Sequence, residues 1–333
     1  MTREDNMSIT TFKRRTFLAG MAATGGLLAA PHVARAQSYA TRPVRIIVQN
    51  AAGGSNDTLA RFVAPTMEEY LGQPVIVENR PGAAGNIGFH AAMTAKPDGH
   101  TLLCSSVAIL AAAHTSDNPP GNPVTDLEHI TQLADGPFRF AINPANGISN
   151  FDEFLAHMRA NPGSLRHGTP GFGGNIHLLA EIFKNRAGID MPAVHYNAVG
   201  NILTDLLGNE IQVGITGPHH TKPYIESGQL VPLMTTGPRP DPNFPEIPTA
   251  ADVGLPDVQD FRNWFGLHAP KNTPQDILDQ VYNAAQAALT NPDVVKGIEA
   301  NNFVVMDTSP AEFAAAMKSE DALYAEAAGL IQG

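Results

Sequence analysis

The segment 50–57 has the residue types that can hold an anion. It joins the β-branched run 44–48 to a stretch, 57–70, whose apolar residues have the spacing of a helix. Its glycines allow positive φ and close approach of a ligand to the backbone. Free N–H groups at a helix start, at the positive end of the helix dipole, suit a negative charge. Helix capping by Ser55, Asn56 or Asp57 is the alternative, and for Asp57 it is the stronger interpretation.

A second segment, 79–88, has the same position between a predicted strand, 75–78, and a predicted helix, 86–95. Its arginine, Arg80, has two interpretations: contact with a ligand carboxylate, or an ion pair with the nearby Glu78. The pair is favoured, because a basic side chain two residues from an acidic one needs no ligand to be neutralised.

A third segment, 168–177, follows a probable strand at 166–167 and opens a predicted helix, 176–186. Its glycines do not form a dinucleotide fingerprint, because Ile176 stands where the last glycine belongs. Thr169 and Asn175 are polar and suited to orienting a carboxylate, although Asn175 is as well explained by helix capping. Two further segments, 195–200 and 216–219, also follow apolar strands and precede helices, and Tyr196 offers a ring and a hydroxyl.

The elements that must position these segments alternate between strand and helix, which predicts parallel βαβ units in an α/β fold. Ligands of such sheets lie beyond the carboxyl ends of the strands, where all five segments fall. Later helix starts are also marked. Thr273 before Pro274, and Ser309 before Pro310, are predicted N-caps, and Glu312 completes a capping box with Ser309.

Residues 1–36 are predicted to be a signal peptide of the twin-arginine type, cleaved after Ala36. Arg14 and Arg15 precede an apolar run, 18–30, and a small-x-small site ends at Ala36. The run is too short for the ~30 Å of a bilayer core. The full chain has a net charge of −11, and removing five basic and two acidic residues leaves −14. This charge opposes binding to nucleic acid or to anionic lipid.

Other function classes find little support. Common hydrolase, zinc-protease and nucleotide-binding motifs are missing from the sequence, and its twelve histidines include no His-x-His or His-x-x-x-His pair. We therefore expect no catalytic residues, no metal and no cofactor. The single cysteine, Cys104, forms no intrachain disulfide and is expected to be a buried apolar residue. The sole tryptophan, Trp264, is expected in the core, with a position near a ligand cleft as the alternative.

A series of motifs along nearly the whole mature chain resembles a known family. The motifs occur in a fixed order, and their order and spacing are far more specific than any one of them. They are Thr41–Val48, Gly53–Asp57, Leu71–Gly82, Gly85–Gly88, Lys96–Leu103, Asn161–Gly163, His177–Leu178, Pro245–Thr249 and Trp264–Leu267. The sequence is similar to the Bug-type, or TctC-like, periplasmic solute-binding proteins of the tripartite tricarboxylate transporter family.

The resemblance implies a two-lobed α/β periplasmic-binding-protein (Venus-flytrap) fold, with a mostly parallel sheet in each lobe. Lobe 1 would comprise 37–140 and 260–333, and lobe 2 would comprise 141–259, with crossovers near 139–143 and 257–263. The ligand would be a small carboxylate (a di- or tricarboxylate, an acidic amino acid or an aromatic acid). The partners would be membrane permease subunits, and the protein would be a periplasmic monomer. A ligand sensor that docks on a signalling partner remains an alternative, and a metal-binding or enzymatic periplasmic protein is a weaker one.

By the same resemblance, residues of both lobes line the cleft and hold the ligand through backbone amides and water. The family pattern assigns Ala51, Ala52, Gly53, Ser55, Asn56, Asp57, Gly85, Asn86, Ser105 and Ser106 to one lobe, and Thr169, Gly173, Gly174, Asn175, Tyr196 and Thr216 to the other. Three departures fall in these loops. Ala51 and Ala52 replace the usual prolines, Asn197 replaces a lysine, and 216–218 replaces a polar, often acidic stretch. Loss of the lysine weakens the case for a second charged group on the ligand.

Overall fold

The computed structural model describes residues 39–241 and 243–332, so the predicted signal peptide lies outside the described residues. Strands and helices alternate through most of this part of the chain. The strands are β1 Val44–Val48, β2 Val75–Asn79, β3 Thr101–Ser106, β4 Leu127–Asp135, β5 Arg139–Ile142, β6 His167–Thr169, β7 Ala193–His195, β8 Val213–Thr216, β9 Val231–Thr235, β10 Phe265–Pro270 and β11 Val304–Val305. The α-helices are α1 Ser55–Leu71, α2 Asn86–Met93, α3 Ala108–Thr115, α4 Phe151–Ala160, α5 Asn175–Ala187, α6 Val199–Leu207, α7 Pro218–Glu226, α8 Pro256–Gln259, α9 Gln275–Leu289, α10 Pro292–Ala300 and α11 Pro310–Gln332.

Local sequence accounts for most of these boundaries. Helix α1 buries Leu59, Val63 and Met67, which recur at helical spacing, and it ends at Gly72, whose φ of 71° suits glycine. The capping box at α11 is confirmed: the backbone N–H of Ser309 donates to Oε2 of Glu312 at 2.8 Å. The N–H of Glu312 donates back to Oγ of Ser309 at 3.3 Å.

The predicted cap of α9 is wrong. Pro274, rather than Thr273, is the N-cap residue, and no side chain caps this helix. The hydroxyl of Thr273 instead donates to the carbonyl of Pro270 at 2.7 Å. A threonine hydroxyl can bond the backbone on either side of it, and here it bonds the preceding turn rather than the start of the helix.

The first sheet has the strand order β11-β4-β10-β3-β1-β2. Strands β2, β1 and β3 run parallel, as expected for strands joined through α1 and α2. Strand β10 pairs antiparallel with both β3 and β4, and β11 pairs antiparallel with β4. The sheet is therefore mixed, with its parallel half at the β2 edge.

The second sheet has the order β7-β6-β8-β5-β9. Strand β6 is parallel to β7 and β8, whereas β5 is antiparallel to β8 and β9. The two-sheet α/β architecture is confirmed, and both sheets are mixed rather than mostly parallel. The reason is that β5 and β10 carry the chain from one sheet to the other and so enter against the direction of the βαβ strands.

Two segments cross between the sheets side by side. The first links Asp135 at the end of β4 to Arg139 at the start of β5, and the second precedes β10. Pro137 and Arg262 form a bridge between them, and Nε of Arg262 donates to Oδ2 of Asp135 at 2.9 Å. The N–H of Asn263 also donates to the carbonyl of Gly136 at 3.0 Å.

Helix α11 packs against elements of both sheets. Its buried residues include Phe313, Met317 and Tyr324, which recur on one helical face. Oδ1 of Asp321 lies 2.7 Å from Nε2 of His114 on α3. Further along, Glu326 accepts a bond of 2.7 Å from Arg186 on α5. Helix α11 thus links a helix of the first sheet to a helix of the second.

Candidate functional site

The helices that follow β1, β6, β7 and β8 begin without a side-chain cap. Their N-cap residues are Gly54, Gly174, Ala198 and Gly217, and none of them has a capping side-chain bond. By contrast, α4 and α10 are capped by the side chains of Asn150 and Asn291. Helices α8 and α9 also lack a capping side chain, so this feature is not confined to the four loops. At the carboxyl ends of β1, β6, β7 and β8, the uncapped N–H groups offer an anion hydrogen bonds and a favourable helix dipole.

The first loop presents backbone rather than side chains. Ala51, Ala52 and Gly53 are exposed, whereas Asn56 and Asp57 are buried. Oδ2 of Asp57 accepts from the N–H of Gly53 at 2.9 Å, and its Oδ1 accepts from Arg61 at 3.0 Å. The Asp57 carboxylate therefore shapes the loop, but the capping alternative is wrong: the N-cap residue is Gly54, and no side chain caps α1.

Asn56 and Cys104 hold the first loop against β3. Nδ2 of Asn56 donates to the carbonyl of Cys104 at 3.5 Å, and the thiol of Cys104 lies 3.6 Å from the carbonyl of Asn56. Burial, together with the Asp57 charge, raises the pKa of the Cys104 thiol to about 12. The predicted burial of Cys104 is confirmed, and at this pKa the thiol is not a nucleophile near neutral pH.

Gln49 is a residue that sequence reasoning missed. It follows β1 directly and is 1% exposed. A Cβ added at Gly88 would lie 2.8 Å from the Cα of Gln49, and one at Gly85 would lie 3.1 Å from its Cδ. Its Nε2 is 3.5 Å from Oγ of Ser106, and its Oε1 has no partner among the described residues. Gln49 thus gathers the second loop and Ser106 around one buried amide, and the glycines at 85 and 88 are needed for the close fit.

The second loop is strained and tied to α3. Ala83 and Ala84 have φ values of 47° and 54°, which L-residues other than asparagine rarely adopt. Nδ2 of Asn86 donates to Oγ of Ser116, just beyond α3, at 2.8 Å. Arg80 forms the predicted ion pair with Glu78 at 2.7 Å, so its charge is neutralised outside any ligand.

Ser105 faces the core rather than the loops. Its Oγ lies 2.8 Å from Nε2 of His268, whose Nδ1 lies 3.0 Å from Nδ1 of His129. Nε2 of His129 must donate to the carbonyl of Val124 at 3.2 Å, so each following bond has a set direction and Ser105 is the donor to His268. Burial lowers the pKa of both imidazoles, consistent with neutral rings. The geometry leaves Ser105 no proton to donate to a ligand, whereas Ser106 is turned toward Gln49.

The third loop meets the first sheet at α3. Oγ1 of Thr115, the last residue of α3, lies 3.0 Å from the carbonyl of Gly173 and 2.9 Å from the carbonyl of Ala111 in its own helix, so its one proton is shared between them. A Cβ at Gly173 would lie 2.9 Å from the Cβ of Thr115, and the φ of Gly173 is 71°. Ser116, the next residue, bonds Asn86. The loops 83–86 and 171–175 are therefore held by consecutive residues at one end of α3.

The fourth loop pairs with the third. The N–H of Tyr196 donates to the carbonyl of Thr169 at 2.9 Å, and Oγ1 of Thr169 lies 3.3 Å from the carbonyl of Gly171. The Tyr196 hydroxyl donates to Asp205 at 2.7 Å, and partial burial together with that hydrogen bond raises the pKa of Tyr196 to about 12. The ring of Tyr196, but not its hydroxyl proton, remains for a ligand.

The fifth loop is set by a buried arginine. Thr216 is fully buried, and its hydroxyl lies 3.3 Å from the carbonyl of Gly217. Arg139, opposite Thr216 in the sheet, donates to the carbonyl of Pro218 at 3.0 Å and pairs with Asp241, and both charged side chains are buried. This pair fixes the start of α7, and breaking it by removing one partner would leave an uncompensated buried charge.

Two adjacent histidines, 219 and 220, follow β8. They lie in the first turn of α7, with ring centroids 3.8 Å apart. Burial and the neighbouring His220 lower the pKa of His219 to about 4. Among the residues that the structure describes, no group of three histidine, cysteine or acidic side chains is arranged to hold a metal.

A surface pocket with a volume of about 560 Å³ lies away from these loops, between α4 and α5. It is lined by the last turns of both helices, including Arg159, Lys184 and Asn185. Helix C-termini present carbonyl groups and the negative end of the dipole, so this surface is a poor site for an anion. Among all the residues that the structure describes, no helix is long and apolar enough to cross a bilayer.

Comparison with known proteins identifies the family of this chain. Residues 59–323 match the family described as "Tripartite tricarboxylate transporter family receptor", TctC. The protein BugT of Bordetella pertussis is 33% identical over 290 residues, which cover 86% of this chain and 88% of BugT.

Two solved structures of similar proteins contain a bound acid. A protein of R. palustris solved with adipate is 26% identical, with a TM-score of 0.74, over 87% of this chain and 98% of that one. MatC from Rhodopseudomonas palustris, solved with bound malate, is 25% identical, with a TM-score of 0.73, over 86% of this chain and 99% of MatC. The chain belongs to the TctC family of tripartite tricarboxylate transporter receptors, to which the Bug solute-binding proteins are related.

Proposed function

We propose that this protein is an extracytoplasmic solute-binding protein that captures a small carboxylate between its two sheets. The observation that carries the proposal is the set of uncapped helix starts. Helix α1 belongs to the first sheet, and α5, α6 and α7 belong to the second. A carboxylate held by both sets gains several charge-assisted hydrogen bonds at once, which offsets its loss of water.

The proposed site comprises the backbone of the first loop together with Gly85, Asn86 and Ser106 on one side. On the other side it comprises the 169–175 loop, the ring of Tyr196 and the Thr216 segment. Ser105 and Asp57 act from beneath, by holding β10 and the first loop in place. Malate and adipate in the structures of similar proteins support an acid as the ligand class.

The proposal includes the cellular role. The family description supports delivery of the ligand to the membrane permease subunits of a tripartite tricarboxylate-type transporter. We place the protein in the periplasm as a monomer, cleaved after Ala36. We also propose lobe 1 as 37–140 and 260–333 and lobe 2 as 141–259. A ligand that contacts both lobes only when they are closed would favour the closed state by its differential affinity.

The test is a thermal-shift screen of the purified protein against malate, adipate, citrate, glutamate and benzoate, with the corresponding neutral amides as controls. Binding to the native state raises the melting temperature. A ligand at 100 times its Kd adds about 2.7 kcal/mol to the free energy of unfolding. We expect at least one acid to raise the melting temperature and its amide to leave the melting temperature unchanged. A shift with an amide or a sugar, and with no acid, would overturn the proposal.

A further inference from the structure

Phe172 is exposed at the centre of the third loop. Its side chain is 66% exposed, an unusual position for a phenyl ring next to glycine-rich backbone. Its ring centroid lies 5.1 Å from that of His177 and 5.6 Å from that of His195. The two imidazoles are themselves 4.8 Å apart and nearly perpendicular. We name these three residues the aromatic wall.

Nearby groups fix the position of His177 in the aromatic wall. Its Nδ1 accepts the N–H of Gly173 at 3.0 Å, and its Nε2 lies 3.5 Å from Oε1 of Glu181. Partial burial lowers the pKa of His195 below its usual value, as does the nearby His177, whereas Glu181 opposes the shift. The wall thus presents three neighbouring rings, suited to stacking against a planar group.

A second exposed apolar side chain belongs to the segment 79–88. Ile87, 52% exposed, follows Asn86, and Phe172 precedes Gly173. Asn86 is bonded to Ser116, and the carbonyl of Gly173 lies 3.0 Å from Oγ1 of Thr115, the residue before it at the end of α3. Ile87 and Phe172 are therefore each next to a residue that contacts the end of α3, one from each sheet.

The loops contain no free cation for a second carboxylate. Arg80 is the only lysine or arginine in the segments 49–57, 79–88, 105–107, 168–177, 195–200 and 216–219. Its guanidinium pairs with Glu78 at 2.7 Å. A dicarboxylate would thus place its second charge against the phenyl ring of Phe172, where no lysine or arginine of these segments offsets its desolvation.

We propose that the site selects monocarboxylic acids with a planar aromatic body, whose carboxylate meets the helix starts and whose ring stacks on Phe172. This inference rests on the proposed function, because it names the ligand class of the same site.

The test compares benzoate, cyclohexanecarboxylate, malate and adipate by calorimetry on the wild-type protein, on Phe172→Ala and on Tyr70→Ala. Tyr70 is a matched control, because it is an aromatic residue 51% exposed on the last turn of α1, at the opposite end of that helix from the first loop. We expect benzoate to bind at least about tenfold more tightly than malate. Phe172→Ala should weaken benzoate about tenfold, and Tyr70→Ala should leave it unchanged.

The outcomes separate the two proposals. Tight binding of malate or adipate with weak binding of benzoate overturns the aromatic preference and leaves the carboxylate-binding function standing. Equal loss of benzoate and malate affinity in Phe172→Ala also overturns it, since the ring would then act without regard to the ligand's body. Binding of none of these acids overturns both. Because Phe172 is exposed, we expect Phe172→Ala to fold normally. An unchanged melting temperature of this variant would exclude loss of folding.

Discussion

The indole Nε1 of Trp264 donates a hydrogen bond of 2.6 Å to Oε2 of Glu320. Trp264 directly precedes β10, and Glu320 lies on α11, so the bond joins the second crossing segment to the helix that contacts both sheets. Trp264 is fully buried, and Glu320 is 4% exposed. The core position expected for the tryptophan is confirmed.

Glu320 should make stability depend on pH. Burial raises its pKa to about 8, although the bond from Trp264 and the charge of Arg262 oppose the rise. The folded state therefore binds this proton more tightly than the unfolded state. Its stabilising contribution is complete below about pH 4.5 and is lost as pH rises toward about 8, at about 1.4 kcal/mol per pH unit. Urea unfolding of wild type and Glu320→Gln at pH 5.5 and 7.5 measures this loss of stability.

We expect Glu320→Gln to gain stability relative to wild type as pH rises, because the amide cannot ionise. The comparison with this variant removes the effects of other titrating groups. Trp264 fluorescence supplies a local signal, since its partner changes charge. Parallel pH dependence of the two proteins would show that Glu320 is ionised in the folded state throughout.

The helix starts can be tested one amide at a time. Ser55 and Asn175 are the first residues of α1 and α5, and the preceding glycines have ψ values of 168° and 164°, which a following proline accepts. Ser55→Pro and Asn175→Pro each delete one N–H and keep the helix. We expect each to weaken the best acid from the screen by roughly 10- to 100-fold.

The alanine variants are the matched controls, because Ser55→Ala and Asn175→Ala remove the side chain and keep the N–H. Calorimetry should find them within about fivefold of wild type, given that a neutral side-chain bond contributes about 1 kcal/mol or less. If the alanine variants bound the acid as weakly as the proline variants, the side chains rather than the N–H groups would account for the binding.

The strained second loop should be relieved by glycine. Ala84 has a φ of 54° and a ψ of 27°, which is the left-handed region. Ala84→Gly should raise the free energy of unfolding by about 0.5–1 kcal/mol, because relief of strain exceeds the added entropy of the unfolded chain. The same change at Ala287, inside α9, should lower it by about 1 kcal/mol. Denaturant midpoints that fall in both variants would argue against strain at Ala84.

Export should depend on the paired arginines. Residues 1–36 lie outside the described residues, so the prediction rests on the sequence alone. Replacing Arg14 and Arg15 by lysine should retain the uncleaved protein in the cytoplasm. N-terminal sequencing of the periplasmic form of the wild type should begin at Gln37. Normal export of the lysine variant would indicate the general secretion route.

Local patterns in the sequence were sufficient for most of the elements. The strand–loop–helix segments predicted where uncapped helix starts would lie, because β-branched runs, glycine pairs and helical periodicity act over fewer than twenty residues. The capping box at Ser309 and the Arg80–Glu78 pair are equally local, and both are confirmed. The family was identified from motifs whose order and spacing extend along nearly the whole mature chain.

Contacts between residues distant in sequence were decided by the tertiary structure. His268, 163 residues away, turns Ser105 toward the core, and Gln49 becomes central only because β3 and the second loop close around it. Thr115 and Ser116 bring loops of the two sheets to one point, and neither residue belongs to a motif. Such contacts depend on how whole elements pack, and the sequence of each element alone does not specify its neighbours. Periodicity shows that a face is buried; only packing shows what covers it.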